Sequence, residues 1–102
     1  MDFKKVARAS DIKPGKSKGV WLDNESVLLA NVAGRFFAIG NICTHAACNL
    51  SEGDVNGKNV VCACHGSIFD LTNGKVISGP AMKDEPTYEV KIEGDDILIK
   101  KR

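Results

Sequence analysis

All four cysteines and both histidines of this chain lie between positions 43 and 65, within less than a quarter of its 102 residues. They form two limbs, Cys43-Thr44-His45 and, after sixteen further residues, Cys62-Ala63-Cys64-His65. A lone histidine in a loop is ordinarily solvated, and a lone cysteine is ordinarily a small buried hydrophobe. Two limbs that each present a soft thiolate and an imidazole demand more. The fold has to carry them on two neighbouring loops that converge on a metal centre.

The spacing narrows the choice of metal. A structural zinc site usually draws both cysteines from one limb and its other two ligands from the second. Here each limb offers one Cys and one His, with one residue between them in the first limb and two between Cys62 and His65 in the second. That mixed set suits an iron–sulfur centre in which two histidines replace two cysteines on one of the irons. Tetrahedral zinc would tolerate the same donors, so a zinc-stabilised interaction module stays open. A thiol–disulfide exchange role for Cys62-Ala63-Cys64 also stays open, although it needs an exposed, low-pKa thiolate and the chain has no Cys-x-x-Cys pair.

The rest of the chain reads as β-structure. KGVWL, SVLLANV, RFFAIG, NVVC, TYEVKIEG and DDILIKK are short, rich in β-branched and aromatic residues, and separated by Gly, Asn, Asp or Pro. In YEVKI, Tyr88, Val90 and Ile92 alternate with Glu89 and Lys91, which predicts one buried face, and EGDD is short enough to close a hairpin onto ILIK. DIKPGKS and NGK are turns. No stretch keeps a helical period, although Ser10 and Asp11 can cap one short turn. The expectation is a single all-β domain over residues 1–102, a sandwich or small barrel.

Composition excludes several function classes. Hydrophobic residues at 43% and charged residues at 26% are those of a globular chain, not a disordered one. A net charge of +1 gives no pull toward nucleic acid, and the basic residues are not interleaved with aromatics on a binding platform. Residues 1–20 hold six Lys/Arg against Asp2 and Asp11, while residues 41–70 are net acidic. That asymmetry is either a solvated surface or a dipole that orients a charged partner. MDFKKVARAS has no apolar signal core, and no run approaches the length of a membrane span. A soluble, cytoplasmic monomer is expected.

CTH…CACHGSIFD resembles the Rieske signature, Cys-x-His followed by Cys-x-x-His. DIKPGKS, RFFAIGNICTH and GKVISGPA are similar to the corresponding parts of soluble Rieske-type ferredoxins, so the resemblance covers essentially the whole chain. It implies a Rieske-type antiparallel β-sandwich with a two-loop cluster-binding subdomain at about residues 41–81, holding one [2Fe-2S] cluster. Cys43 and Cys62 would ligate the inner iron, and His45 and His65 the outer, more exposed one. Gly79 and Pro80 would form a loop that covers the cluster from a third side. Cys48 and Cys64 are then left over. In the Rieske proteins of respiratory and photosynthetic complexes the equivalent pair forms a disulfide between the loops, and the resemblance implies the same here.

With two sulfides, two thiolates and two neutral histidines, a diferric cluster is neutral, whereas a four-Cys cluster carries two negative charges. An electron enters the neutral centre more easily, and Rieske potentials run roughly from −150 to +300 mV against about −400 mV for plant-type ferredoxins. By resemblance, Ser67 stands where high-potential Rieske proteins place a hydroxyl donor to a bridging sulfide, and Phe69 where they place a tyrosine, so an intermediate potential is expected. The ligated imidazoles should lose a proton more readily when the iron is oxidised, so the potential should fall at alkaline pH. A Rieske oxygenase needs a second iron site with two further histidines, which this chain lacks. The expected function is therefore electron carriage from a reductase, flavin-dependent in kind, to an acceptor enzyme such as an oxygenase. The carrier itself would have no substrate site and no catalytic residue.

Overall fold

The computed structural model describes residues 2–44 and 47–102, so Met1, His45 and Ala46 fall outside the described residues. Among the described residues, ten strands build two antiparallel sheets. The first contains β1 (Lys4–Arg8), β2 (Ser17–Leu22), β3 (Glu25–Val32), β4 (Arg35–Gly40), β9 (Thr87–Glu93) and β10 (Asp96–Lys101), in the order β1-β10-β9-β4-β3-β2. The second contains β5 (Asp54–Asn56), β6 (Asn59–Val61), β7 (Ile68–Asp70) and β8 (Val76–Ser78), paired in chain order. Short 3-10 turns at Ala9–Asp11 and Leu50–Glu52 are the helical elements among the described residues. The first of these is the turn expected around Ser10 and Asp11.

The apolar run of β3 explains how the sheets are joined. Val27 and Leu29 point into one cluster and Leu28 and Ala30 into another, and all four are fully buried. A strand covered on both faces reads as a continuous apolar run rather than an alternation. The first cluster draws side chains from all six strands of the larger sheet, including Ala7, Val20, Ala38, Tyr88 and Ile97. The sheet therefore curls around its own core. The second cluster lies between the outer face of β3–β4 and the smaller sheet, with Ile39 against Val60, Phe69 and Leu71. Asn31, the polar break in the run, is buried but satisfied. Its Nδ2 donates to Ile12 O and its Oδ1 accepts from Gly34 N–H, both at 2.8 Å.

Two-residue turns set the hairpin registers. Ala33 and Gly34 both have positive φ, 53° and 92°, as a tight turn between right-twisted strands requires. The β9–β10 hairpin forms across Gly94 and Asp95 with Glu93 opposite Asp96, as expected from EGDD. The alternation expected in YEVKI holds for only half the strand. Tyr88 is buried and Val90 half-buried, but Ile92 is 46% exposed, because the strand end runs past the core toward the turn.

Candidate metal centre

The two limbs emerge at one end of the second cluster and close in the same way. The Cys43 N–H donates to Cys48 O, and the Cys62 N–H donates to Ser67 O, each five residues on and each at 2.8 Å. The first limb follows β4. Buried Asn41 clamps its base, its Nδ2 donating to Ser26 Oγ at 3.0 Å and its Oδ1 accepting from Ser51 N–H at 2.8 Å. An isolated bridge between Ile42 and Asn49 closes the loop. The second limb is the turn of the β6–β7 hairpin, directly beyond the Val61–Ile68 pair. Gly66 takes a φ of 78° there, which a side chain would strain, and donates to Cys62 O at 3.0 Å.

The cysteines divide into two kinds. Cys48 and Cys64 form a disulfide between the limbs, with Cα atoms 6.5 Å apart, while Cys43 and Cys62 are free and buried. The pairing is the one the resemblance implied. Cys43 and Cys62 are 4% and 2% exposed and belong to the cluster of Leu28, Ile39 and Phe69. His65 lies at the exposed tip of its limb. His45, the fourth expected ligand, lies outside the described residues. Among the described residues, no three His, Cys, Asp or Glu side chains gather into a ready-made metal site.

A third segment ties onto the second limb. Ser67 is fully buried, and its Oγ accepts from Ala81 N–H at 3.0 Å, just after the exposed, cis-linked pair Gly79-Pro80. Because that bond uses the Ser67 oxygen as acceptor, the hydroxyl proton is left to be donated elsewhere. Phe69 is fully buried two residues on and brings no polar atom to the site.

Sequence reading missed two residues here. Asn41 carries no signal in the sequence that separates it from the loop it begins. Glu85, in the charged run MKDEPTYE, is 6% exposed, and its Oε2 is buried without a hydrogen-bond partner among the described residues. Burial pushes its carboxyl up to about 8 against a smaller opposing pull from the Thr44 N–H, so the group is largely protonated at neutral pH. Nothing in the sequence marks that glutamate as interior.

The basic N-terminal segment is mostly neutralised within the fold. Lys4 pairs with Asp23, Lys5 with Asp96 at 3.1 Å, Arg8 with Asp95 at 3.3 Å and Lys18 with Asp11 at 3.9 Å. The solvated-surface reading of that charge therefore accounts for it better than a docking dipole does.

The donor set fits a [2Fe-2S] cluster. Two unpaired thiols are held in an apolar, water-poor wall, an imidazole stands on the exposed side, and a buried hydroxyl still has its proton to give. Soft thiolates held out of water suit iron–sulfur ligation.

The Rieske [2Fe-2S] domain family matches residues 2–92. Over 95 residues the chain is 37% identical to the ferredoxin component of naphthalene 1,2-dioxygenase/salicylate 5-hydroxylase systems from a Ralstonia species, covering 93% of this chain and 91% of that one. It is 36% identical over 96 residues to the cytochrome b6-f complex iron-sulfur subunit of Chlorobaculum thiosulfatiphilum, covering 94% of this chain and 52% of that one. Among solved structures, a chain in the complex of reduced oxygenase and oxidized ferredoxin in carbazole 1,9a-dioxygenase superposes with a TM-score of 0.91 at 28% identity, over 98% of this chain and 95% of that one. Among the described residues, no helix is long and apolar enough to cross a membrane. The all-β fold, the two limbs and these relatives agree: the chain belongs to the Rieske [2Fe-2S] domain family.

Proposed function

We propose that Cys43, His45, Cys62 and His65 hold the [2Fe-2S] cluster, that residues 41–81 form the cluster-binding unit of a single domain, and that the chain carries one electron between a reductase and an acceptor enzyme in the cytoplasm. The observation that carries this reading is the matched closure of the two limbs, each with a buried free cysteine at its base. The cluster, when bound, accepts and releases one electron. The residues of the chain set the conditions for that exchange. Cys43 and Cys62 sit in an apolar wall that excludes water from the thiolate side. His65 stands on the exposed side, which puts the route to a partner on that side of the site. The Ser67 hydroxyl, whose oxygen accepts from the Ala81 N–H, would have its proton to donate to a bound cluster, and the loop of Gly79 and Pro80 would cover a third side. The disulfide joins the limbs independently of the cluster.

The acceptor follows from the relatives. The Ralstonia protein is the ferredoxin component of dioxygenase and hydroxylase systems, and the carbazole 1,9a-dioxygenase complex pairs a ferredoxin with its oxygenase. An oxygenase is the acceptor we propose here, with a flavin-dependent reductase as donor. Exposed Ile42 and Met82, next in sequence to Cys43 and Ala81, give the limb end an apolar rim suited to a transient contact.

The deciding experiment is an EPR spectrum before and after dithionite reduction, with iron, sulfide and zinc analysis. A rhombic signal on reduction, with average g well below the free-electron value, is expected from mixed Cys/His ligation. The higher average g of all-Cys ligation would remove the histidines from the ligand set. Stoichiometric zinc without iron would make the limbs a structural clip.

A further inference from the structure

Three connections hold the limb end together. The Ser67 hydroxyl accepts from the Ala81 N–H. Residues 83–86 form a strap: Thr44 Oγ1 donates to Lys83 O at 2.6 Å, the Gly40 N–H to Pro86 O at 2.9 Å and the Glu85 N–H to Gly74 O at 2.8 Å. The strap lies directly on Gly40 and Gly74, where a Cβ would overlap atoms of Glu85. The third connection is the Cys48–Cys64 disulfide, a covalent tie between the two limbs. Of the three, only this one can be opened and closed by electrons.

Its two sulfurs stand in different surroundings. Cys48 is half-buried and packs against the second apolar cluster, whereas Cys64 is exposed. A tie that only staples the limbs has no use for exposure, because exposure admits reductant. The exposed side opens on a cleft of about 200 Å³, lined in part by Cys48, Asn49, Glu52 and Cys64. Pockets for drug-sized ligands run roughly from 300 to 1,000 Å³, so this one suits a smaller molecule. Glu52 is exposed, and its carboxylate accepts from Asn49 Nδ2 at 3.2 Å. Negative charge in the cleft disfavours an anionic visitor and favours a cationic one. The chemistry that answers both a disulfide and a carboxylate is a thiol carrying an ammonium group.

We propose that the Cys48–Cys64 bond is an exchange site for a small aminothiol, which enters the cleft beside Glu52, attacks Cys64 and unlocks the limbs. The aminothiol's thiolate sulfur bonds to Cys64 Sγ, the Sγ–Sγ bond breaks, and its electron pair leaves on Cys48 Sγ, which takes a proton from water. A second aminothiol attacks the sulfur of the first and releases Cys64 as a thiol. In sum, two aminothiols are oxidised to one disulfide, and Cys48 and Cys64 gain two electrons and two protons. The bonds that close each limb, from the Cys43 N–H to Cys48 O and from the Cys62 N–H to Ser67 O, do not depend on the link. Opening it frees one limb from the other, so cluster retention follows the supply of thiol. That last step rests on the limbs holding the cluster; the exchange itself does not.

The test exposes the loaded protein, under nitrogen and at low salt, to cysteamine, β-mercaptoethanol and thioglycolate, which are cationic, neutral and anionic. Samples are blocked with iodoacetamide and the cysteines mapped by peptide mass spectrometry. The first adduct should sit on Cys64, with Cys48 alkylated. Glu52→Gln keeps an acceptor for Asn49 but removes the charge. It should slow cysteamine about fivefold, speed thioglycolate by a similar factor and leave β-mercaptoethanol unchanged, as two unit charges about 4 Å apart in water would. Each thiol is compared with itself in the two proteins, so its own ionisation cancels. An adduct on Cys48, a link that resists all three thiols in the folded protein, or rates indifferent to Glu52→Gln would overturn the proposal. Cluster absorbance should also disappear at lower denaturant in the opened protein than in the closed one, and equal midpoints would overturn the coupling to the cluster. A chain that holds zinc in place of iron fails the carrier reading, while the mapping still reports on the exchange.

Discussion

In the larger sheet the shortest strand has five residues, and every strand sends a side chain into one apolar cluster. In the smaller sheet each strand has three residues and contributes one apolar side chain to the second cluster: Val55, Val60, Phe69 and Val76 in turn. A fully buried apolar side chain contributes about 1.5–3 kcal/mol, so stability grows with the length of strand that can face a core. The larger sheet has that length. The smaller one is held instead by point connections: a disulfide, the Ser67–Ala81 bond and the strap at residues 83–86. Apolar burial is non-directional, whereas a covalent or hydrogen-bonded link fixes a particular pair of atoms. Ligand loops need the second kind of bond.

The first way to break this comparison is to damage the larger core. Leu29→Ala removes a fully buried side chain and should cost about 2–5 kcal/mol. Far-UV dichroism and the visible absorbance of the cluster should then be lost together on denaturation, because the smaller sheet packs on the outer face of β3–β4. A loss below about 1 kcal/mol would mean that the curled sheet is not the foundation described here.

Removing the disulfide is next in size. Cys48 and Cys64 are 16 residues apart, and a loop of that length contributes about 3 kcal/mol in the chain-entropy model. In the double variant Cys48→Ser, Cys64→Ser, cluster absorbance should disappear at lower denaturant than the dichroism of the larger sheet. Coincident loss at the wild-type midpoint would show that the link adds nothing to the limbs.

The same contrast explains what was legible in the sequence. The strands β2, β3, β4, β9 and β10 could be read from composition and turn residues because they are long enough to show a pattern. Three residues cannot show a period, so β5, β7 and β8 were not separable from the loops around them, although β6 was visible as NVV. The Asn56-Gly57 turn was the available signal for the β5–β6 hairpin. β1 was hidden differently: KKVAR reads as a solvated basic stretch, and only Ala7 in it is buried. At the site, the limbs were plain from Cys and His spacing, which is a local property. The family resemblance supplied the Cys48–Cys64 pairing. Glu85 was out of reach because its burial depends on a strap lying against Gly40 and Gly74, two positions far apart in the chain.

A finer test addresses the point connections themselves. Ser67→Ala removes one buried hydroxyl, and a single hydrogen bond contributes about 1 kcal/mol net. For a one-electron couple that is about 40 mV. Redox titration should find the potential lowered by that order in Ser67→Ala, and raised in Phe69→Tyr, which adds a hydroxyl at a fully buried position. No movement in either variant would mean that these two positions shape the packing around the limbs but not the potential.

The smallest effect is expected where the larger sheet also uses a polar link. Lys4 on β1 pairs with Asp23 in the β2–β3 turn, joining the two edge strands, with both side chains more than half exposed. Exposed pairs of this kind contribute about 0–1 kcal/mol, because water screens the attraction and two long side chains must be ordered. A double-mutant cycle with Lys4→Ala and Asp23→Ala should therefore give a coupling under about 1 kcal/mol that shrinks further in 1 M salt, where the screening length is about 3 Å. The curl of the sheet would then rest on Ala7, Val20, Leu22, Ile97 and Ile99, which line its interior from β1, β2 and β10. A larger coupling that survives high salt would mean that charge closes the sheet, and the contrast between a core-held half and a link-held half would have to be redrawn at its edge strands.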